Sequence, residues 1–210
     1  MRLGERILGQ FACPHGALAG LFGSWMNRGN RALNDEALAE LGDFGAAHVL
    51  EVGFGGGATL ARLLALATAR VAGLDASREM VARAGRRFGP AIATGRLEIR
   101  RGSAESLPWP DATFDAALSV NSLFYWPDPH AALRELCRVL RPGGRLVLGL
   151  RSPATVARLG AAGRALHAPD GVRLRCWLQE AGFAATNVRH HAAAVTGDFL
   201  IARSHRPKAR

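Results

Sequence analysis

The chain has 210 residues, 49% hydrophobic and 21% charged, the balance of one globular domain that can bury a core around a central sheet. No apolar run reaches the roughly 20 residues needed to cross a bilayer, and Met1 to Gln10 lacks an apolar stretch before a cleavage site, so no membrane partner or leader is expected and the location is taken as cytoplasmic. Nearly all of the net charge of +10 sits in residues 141–210, with 12 basic against 3 acidic side chains, but all the basic residues except Lys208 are arginine and they do not cluster with aromatics, so no nucleic acid is expected either.

Cys13, Cys137 and Cys176 are odd in number and widely spaced, which excludes a disulfide framework or a metal-ligand set and predicts buried free thiols. Residues 1–45 read as a helical extension: Leu21, Phe22, Trp25 and Met26 recur at helical spacing, and Asn34-Asp35-Glu36 before Ala37, Leu38 and Leu41 marks a helix start. From His48 the pattern alternates. His48–Val52 predicts a buried strand, residues 57–67 a helix, 70–74 a strand, and 77–88 a helix capped by Ser77. Strands follow at 96–101 and 114–120, and Asp128-Pro129 opens a helix to about residue 140. Arg141-Pro142-Gly143-Gly144 suits a turn feeding a strand at 145–150. A helix at 171–181 and closing strands at 185–190 and 195–202 complete the chain. This order predicts an α/β fold with a doubly wound, mostly parallel, seven-stranded sheet that ends in an antiparallel hairpin. It divides the chain into the extension (1–45), a ligand-binding domain (46–205) and a basic tail (206–210).

The segment His48-Val49-Leu50-Glu51-Val52-Gly53-Phe54-Gly55-Gly56-Gly57 runs a buried strand into a glycine-rich turn and then a helix. Such a turn lets backbone approach a ligand, and the first N–H groups of the helix favour polar or anionic groups. Asp75 ends the next strand, 22 residues after Gly53, where a carboxylate meets a ribose. Gly53, Gly55 and Ala58 also satisfy the looser G-x-G-x-x-A pattern of dinucleotide enzymes, so these residues alone would also fit a nicotinamide-dependent oxidoreductase.

Glu51 and Gly57 extend the pattern to E-x-G-x-G-x-G, and over about residues 48–150 the chain resembles the class I S-adenosylmethionine-dependent methyltransferases. The resemblance is to their small-molecule branch, related to the methyltransferases of ubiquinone biosynthesis. It implies a Rossmann-like fold with S-adenosyl-L-methionine as cofactor, the first motif lying at residues 49–57, with Glu51, Gly53, Phe54, Gly55 and Gly57 in the cofactor site and Gly53 and Gly55 against its amino-acid part. The second motif, at residues 71–77, puts Asp75 on the ribose and Ala76 beside the adenine. The third runs through Gly102-Ser103-Ala104-Glu105-Ser106-Leu107-Pro108-Trp109, with Ser103 where the family usually has an aspartate facing the adenine amino group. A fourth motif at 114–123 adds Asn121, and Leu140-Arg141-Pro142-Gly143-Gly144 resembles the fifth. Residues 22–33 resemble the N-terminal lid of related bacterial enzymes, which implies that Asn30 contacts the methionine end of the cofactor.

The acceptor is expected at the carboxyl ends of the strands, between Asn121 and the extension, with Trp25, Met26 and Phe124 as apolar substrate contacts. Displacement at a sulfonium needs alignment and exclusion of water more than a base. If a proton must be moved, His15 and Tyr125 are the candidates. If the acceptor is a carboxylate, Arg151 can orient it. Asn121-Ser122-Leu123-Phe124 lacks both prolines of the Asn-Pro-Pro-Tyr tetrapeptide, and the chain has no added recognition domain, so a small, partly apolar metabolite accepting at oxygen or nitrogen is favoured, on a monomer or homodimer. A non-catalytic module that binds the cofactor and a nucleic-acid methyltransferase that uses the basic C-terminal half are weaker readings of the same motifs.

Overall fold

The computed structural model describes residues 30–42, 47–65, 70–164, 166–193 and 197–208. Helix α1 (Arg31–Leu41) leads into β1 (His48–Val52), α2 (Ala58–Ala65), β2 (Arg70–Asp75), α3 (Arg78–Arg87), a short α4 (Gly89–Ala93) and β3 (Leu97–Arg101). Next come β4 (Phe114–Val120), a 3-10 turn (Leu123–Tyr125), α5 (Pro129–Val139) and β5 (Leu140–Arg151). Two short helices, α6 (Pro153–Ala157) and α7 (Ala161–Arg164), precede α8 (Gly171–Glu180), β6 (Ala184–His191) and β7 (Phe199–His205).

The seven strands lie in the order β3-β2-β1-β4-β5-β7-β6. The first five are parallel, and β7 runs antiparallel to both β5 and β6. The α/β seven-stranded sheet is therefore the predicted one, with its switch point between β1 and β4. Val49, Leu50 and Val52 in β1 and Ala116 to Leu118 in β4 are buried, as the apolar residues of parallel strands between two helical layers must be. Ser77 caps α3 through Met80 N–H, and Asp128 caps α5 through Ala131 N–H. Among the described residues no helix is long and apolar enough to cross a membrane.

Several details differ from the sequence expectations. The closing strand starts at Phe199 rather than residue 195, and α4 was not expected. The turn at 141–144 lies inside β5, as an irregularity between the pairs Phe114–Leu140 and Ala116–Arg145. Residue Arg206, assigned to the tail, is docked there: its N–H donates to Gly144 O at 2.8 Å and Gly143 N–H donates to its carbonyl at 2.9 Å. Of the cysteines within the described residues, Cys137 is half-buried and Cys176 exposed rather than both buried, while Cys13 lies outside them.

Helix α1 starts at Arg31, three residues before the predicted cap, and it belongs to the core. Leu33, Ala37 and Leu41 are at most 1% exposed. The helix settles closely on β5 because Gly149 offers no side chain: a Cβ there would stand 3.0 Å from Leu33 Cδ1. The expected separable extension through residue 45 thus contains part of the core. Leu33→Ala should cost roughly 2–5 kcal/mol in urea unfolding, and removal of residues 1–41 should abolish the cooperative transition. A full-length Leu33→Ala protein with wild-type stability would contradict this packing.

Candidate cofactor site

The site is built at the carboxyl ends of β1, β2 and β4. Gly53, Gly55 and Gly57 have φ of +75°, +48° and +69°, so the turn after β1 uses backbone that other residues rarely adopt. The turn is braced from three sides. Gly53 N–H donates to Leu74 O at 2.7 Å, and Gly55 N–H to Asp75 Oδ2 at 2.8 Å. Arg87, from α3, donates to Gly56 O at 2.9 Å. On the Gly55 side nothing among the described residues lies within 4 Å of where a Cβ would stand, so they leave open space before that glycine.

Gly53 is required for another reason. An added Cβ would sit 2.1 Å from Ser122 Oγ, because the loop after β4 packs directly on the turn. That hydroxyl also accepts Trp126 Nε1–H at 3.0 Å. Gly53→Ala should therefore displace the loop and destabilise the protein by roughly 2 kcal/mol or more, from the unfavourable φ and the clash together. Adding Ser122→Gly should recover the clash portion only. Equal stability of the single and double variants in thermal unfolding would refute this account.

Two acidic side chains lie buried beneath the turn. Asp75 accepts Gly55 N–H through Oδ2 and Ser77 N–H, at 2.9 Å, through Oδ1. Burial raises its pKa, opposed by those two backbone hydrogen bonds. Glu51 is 2% exposed, and its Oε2 is buried with no hydrogen-bond partner among the described residues. Burial pushes its carboxyl up to about 8, opposed by a hydrogen bond from Thr59 and assisted by the Asp75 charge.

Residues 50–148 match the family described as "Methyltransferase domain". Over that stretch, 99 of its 210 residues, the chain is similar to the class I methyltransferases. The O-methyltransferase cnsE of Penicillium expansum is 37% identical over 101 residues, which are 48% of this chain and 37% of that protein. The chain spans between 37% and 59% of the length of the first curated relatives it matches. Two solved structures share the fold. An S-adenosylmethionine-dependent methyltransferase from Aquifex aeolicus has a TM-score of 0.72 at 19% identity, covering 89% of this chain and 98% of that one. The [4+2]-cyclase SpnF has a TM-score of 0.71 at 22% identity, covering 85% and 81%.

Next to the turn, Ala76 and Ser103 are exposed beside Asp75, and Gly102 N–H donates to Asp75 O at 3.1 Å. Ala104 is buried, and Glu105 is half-buried and bonded to Ser103 Oγ. Phe54 is 4% exposed and packed over Gly73, so its backbone rather than its ring is what a ligand can reach. Asn121 adopts φ +53°, and its Oδ1 accepts Arg151 N–H at 2.9 Å, tying the end of β4 to that of β5.

Arg151 does not stand open for a carboxylate. It donates to Gly197 O at 2.9 Å and to Asn30 Oδ1 at 3.0 Å, joining the start of α1 to the loop before β7. Asn30, expected on the cofactor, is held by that arginine. Phe124 is 5% exposed and packed in the core. Burial pushes the Tyr125 phenol up to about 12, which makes it a neutral hydrogen-bond donor rather than a base near pH 7. His15, Trp25 and Met26 lie outside the described residues. Sequence reasoning missed Ser122 and Arg87, whose contacts with the turn come from distant loops and helices without a local pattern.

Proposed function

We propose that the chain transfers a methyl group from S-adenosyl-L-methionine to an oxygen of a small, partly apolar metabolite. The observation that carries this is the braced glycine turn, with open space at Gly55 above two buried carboxylates. The orphaned Oε2 of Glu51 is an acceptor awaiting a donor, which suits the ammonium of the cofactor's amino-acid end. Asp75 keeps lone pairs on both oxygens for the two ribose hydroxyls. Ser103, one residue beyond Gly102, is assigned to the adenine edge, with Ala76 and Ala104 lining it. The name of the Penicillium relative supports oxygen as the acceptor atom.

When bound, S-adenosylmethionine supplies an electrophilic methyl group on a positively charged sulfonium. The chain's own residues then hold the acceptor in line and exclude water, which supplies most of the acceleration available to such a displacement. Tyr125 is assigned as a hydrogen-bond donor to the acceptor oxygen, not as the base that removes its proton. The binding domain is assigned as residues 30–205, because α1 packs in its core.

Calorimetry with S-adenosylhomocysteine and NAD tests the cofactor. Micromolar binding of the first and none of the second is expected, and the reverse would overturn the reading. Incubation with methyl-labelled cofactor and a panel of phenols and alcohols tests the transfer. A fold of this kind can bind the cofactor without transferring its methyl group, and a non-catalytic module is the competing reading. Binding without transfer to any acceptor would support it.

A further inference from the structure

The third motif departs from its family at Ser103, and the structure places a second side chain against that departure. Glu105 Oε2 accepts the Ser103 hydroxyl, while its Oε1 accepts Asp128 N–H at 3.3 Å. Asp128 in turn caps α5 through Ala131 N–H at 3.0 Å. Ser103 O accepts Ser106 N–H at 3.3 Å, closing a turn that keeps residues 103 and 105 on one side. The carboxylate is thus anchored to the start of a helix by one oxygen and holds the serine by the other.

A hydroxyl has one proton and two lone-pair positions, and it rotates to suit its partner. A free serine can therefore accept from an amino group or donate to a carbonyl with equal ease. Once Glu105 takes its proton, Ser103 presents lone pairs only. Ser103 is exposed and lies two residues past Arg101, which pairs with Asp75 in the sheet, so the hydroxyl is carried on the loop beside the strand end that holds the carboxylate assigned to the ribose.

We infer that Glu105 fixes the Ser103 hydroxyl as an acceptor and so selects a nucleobase with an exocyclic amino group over one with a carbonyl. This rests on the proposed nucleoside site. Glu105 acts through Ser103 and is a positioning residue. The pair does with two side chains what an aspartate at 103 would do alone, because a carboxylate also only accepts.

The test compares S-adenosylhomocysteine with S-inosylhomocysteine, whose base has a carbonyl in place of the amino group, by calorimetry on the full chain. The two bases also differ at the neighbouring ring nitrogen, so the purine analogue that lacks the amino group and keeps that nitrogen an acceptor is measured beside them. Glu105→Gln, which keeps the length and an acceptor for Asp128 N–H but can donate to Ser103 Oγ, should lower the preference for the amino base roughly fivefold to tenfold. Ser103→Ala should lower it similarly, and adding Glu105→Gln to Ser103→Ala should change nothing further. Ser103→Asp should retain the preference even with Gln at 105.

S-ribosylhomocysteine, which lacks a base, should bind each variant like the wild type. If its affinity falls in parallel with the other two, Glu105 merely places the loop and the inference is overturned. A preference unchanged in Glu105→Gln overturns it equally. Wild-type protein that does not bind S-adenosylhomocysteine would instead remove the nucleoside site itself, so the two failures are distinguishable.

Discussion

Asp75→Ala is expected to weaken S-adenosylhomocysteine binding by tenfold to a hundredfold or more and to lower the stability of the unliganded protein as well. The binding loss follows from removing a charged hydrogen-bond acceptor for the ribose, worth about 1.5–3 kcal/mol. The stability loss follows from what the carboxylate already holds. Gly55 N–H and Ser77 N–H both donate to it, and the second of these bonds is buried. An alanine removes the acceptor of Ser77 N–H, a buried bond whose loss costs about 1–3 kcal/mol. Asp75→Asn keeps a single carbonyl oxygen, can satisfy only one of the two donors well, and should fall between wild type and Ala in both measurements. Calorimetry and thermal unfolding separate the roles. If stability falls and affinity does not, Asp75 is a brace for the glycine turn and the ribose contact is wrong.

The glycine turn, Asp75 and the caps at Ser77 and Asp128 were legible because each depends on its neighbours in sequence. Glycines after an apolar strand signal backbone at positive φ, and a short polar side chain before a helix signals a cap. What was not legible depends on partners far along the chain. Asn34 looked like the start of α1, yet it is buried one turn inside the helix because Leu33 and Ala37 find the gap at Gly149. Arg151 looked like a ligand-facing cation at a strand end, yet it serves acceptors 46 and 121 residues away. The same holds for Gly53, whose need for glycine comes from Ser122, and for Phe54, whose ring fills the space over Gly73. The acceptor side was least legible, since aromatic residues at helical spacing signal a core as readily as a pocket.

Glu51→Gln is expected to stabilise the unliganded protein at pH 8 by several kcal/mol while having little effect near pH 4. The folded-state pKa of about 8 lies above the ordinary value of 4.5, with burial as the main cause. Between those values the folded protein holds a proton that the unfolded chain has released, so stability falls as pH rises across the window. Each pH unit inside it is worth on the order of 1.4 kcal/mol. The glutamine side chain has nearly the same shape, keeps a carbonyl for the Thr59 hydrogen bond and cannot ionise, so its stability profile should be flatter. Asp75 is also shifted upward and remains in the variant, so some slope persists. Ligand binding should show the opposite trend. A cationic group set against Oε2 favours the ionised carboxyl, so wild-type affinity for S-adenosylhomocysteine should rise from pH 6 to pH 8 and binding should release protons into the buffer. Both effects should be lost in Glu51→Gln, whose affinity should be lower at pH 8 despite its greater stability. A variant that is more stable and binds equally well across the range would make Glu51 a buried carboxyl with no part in the site.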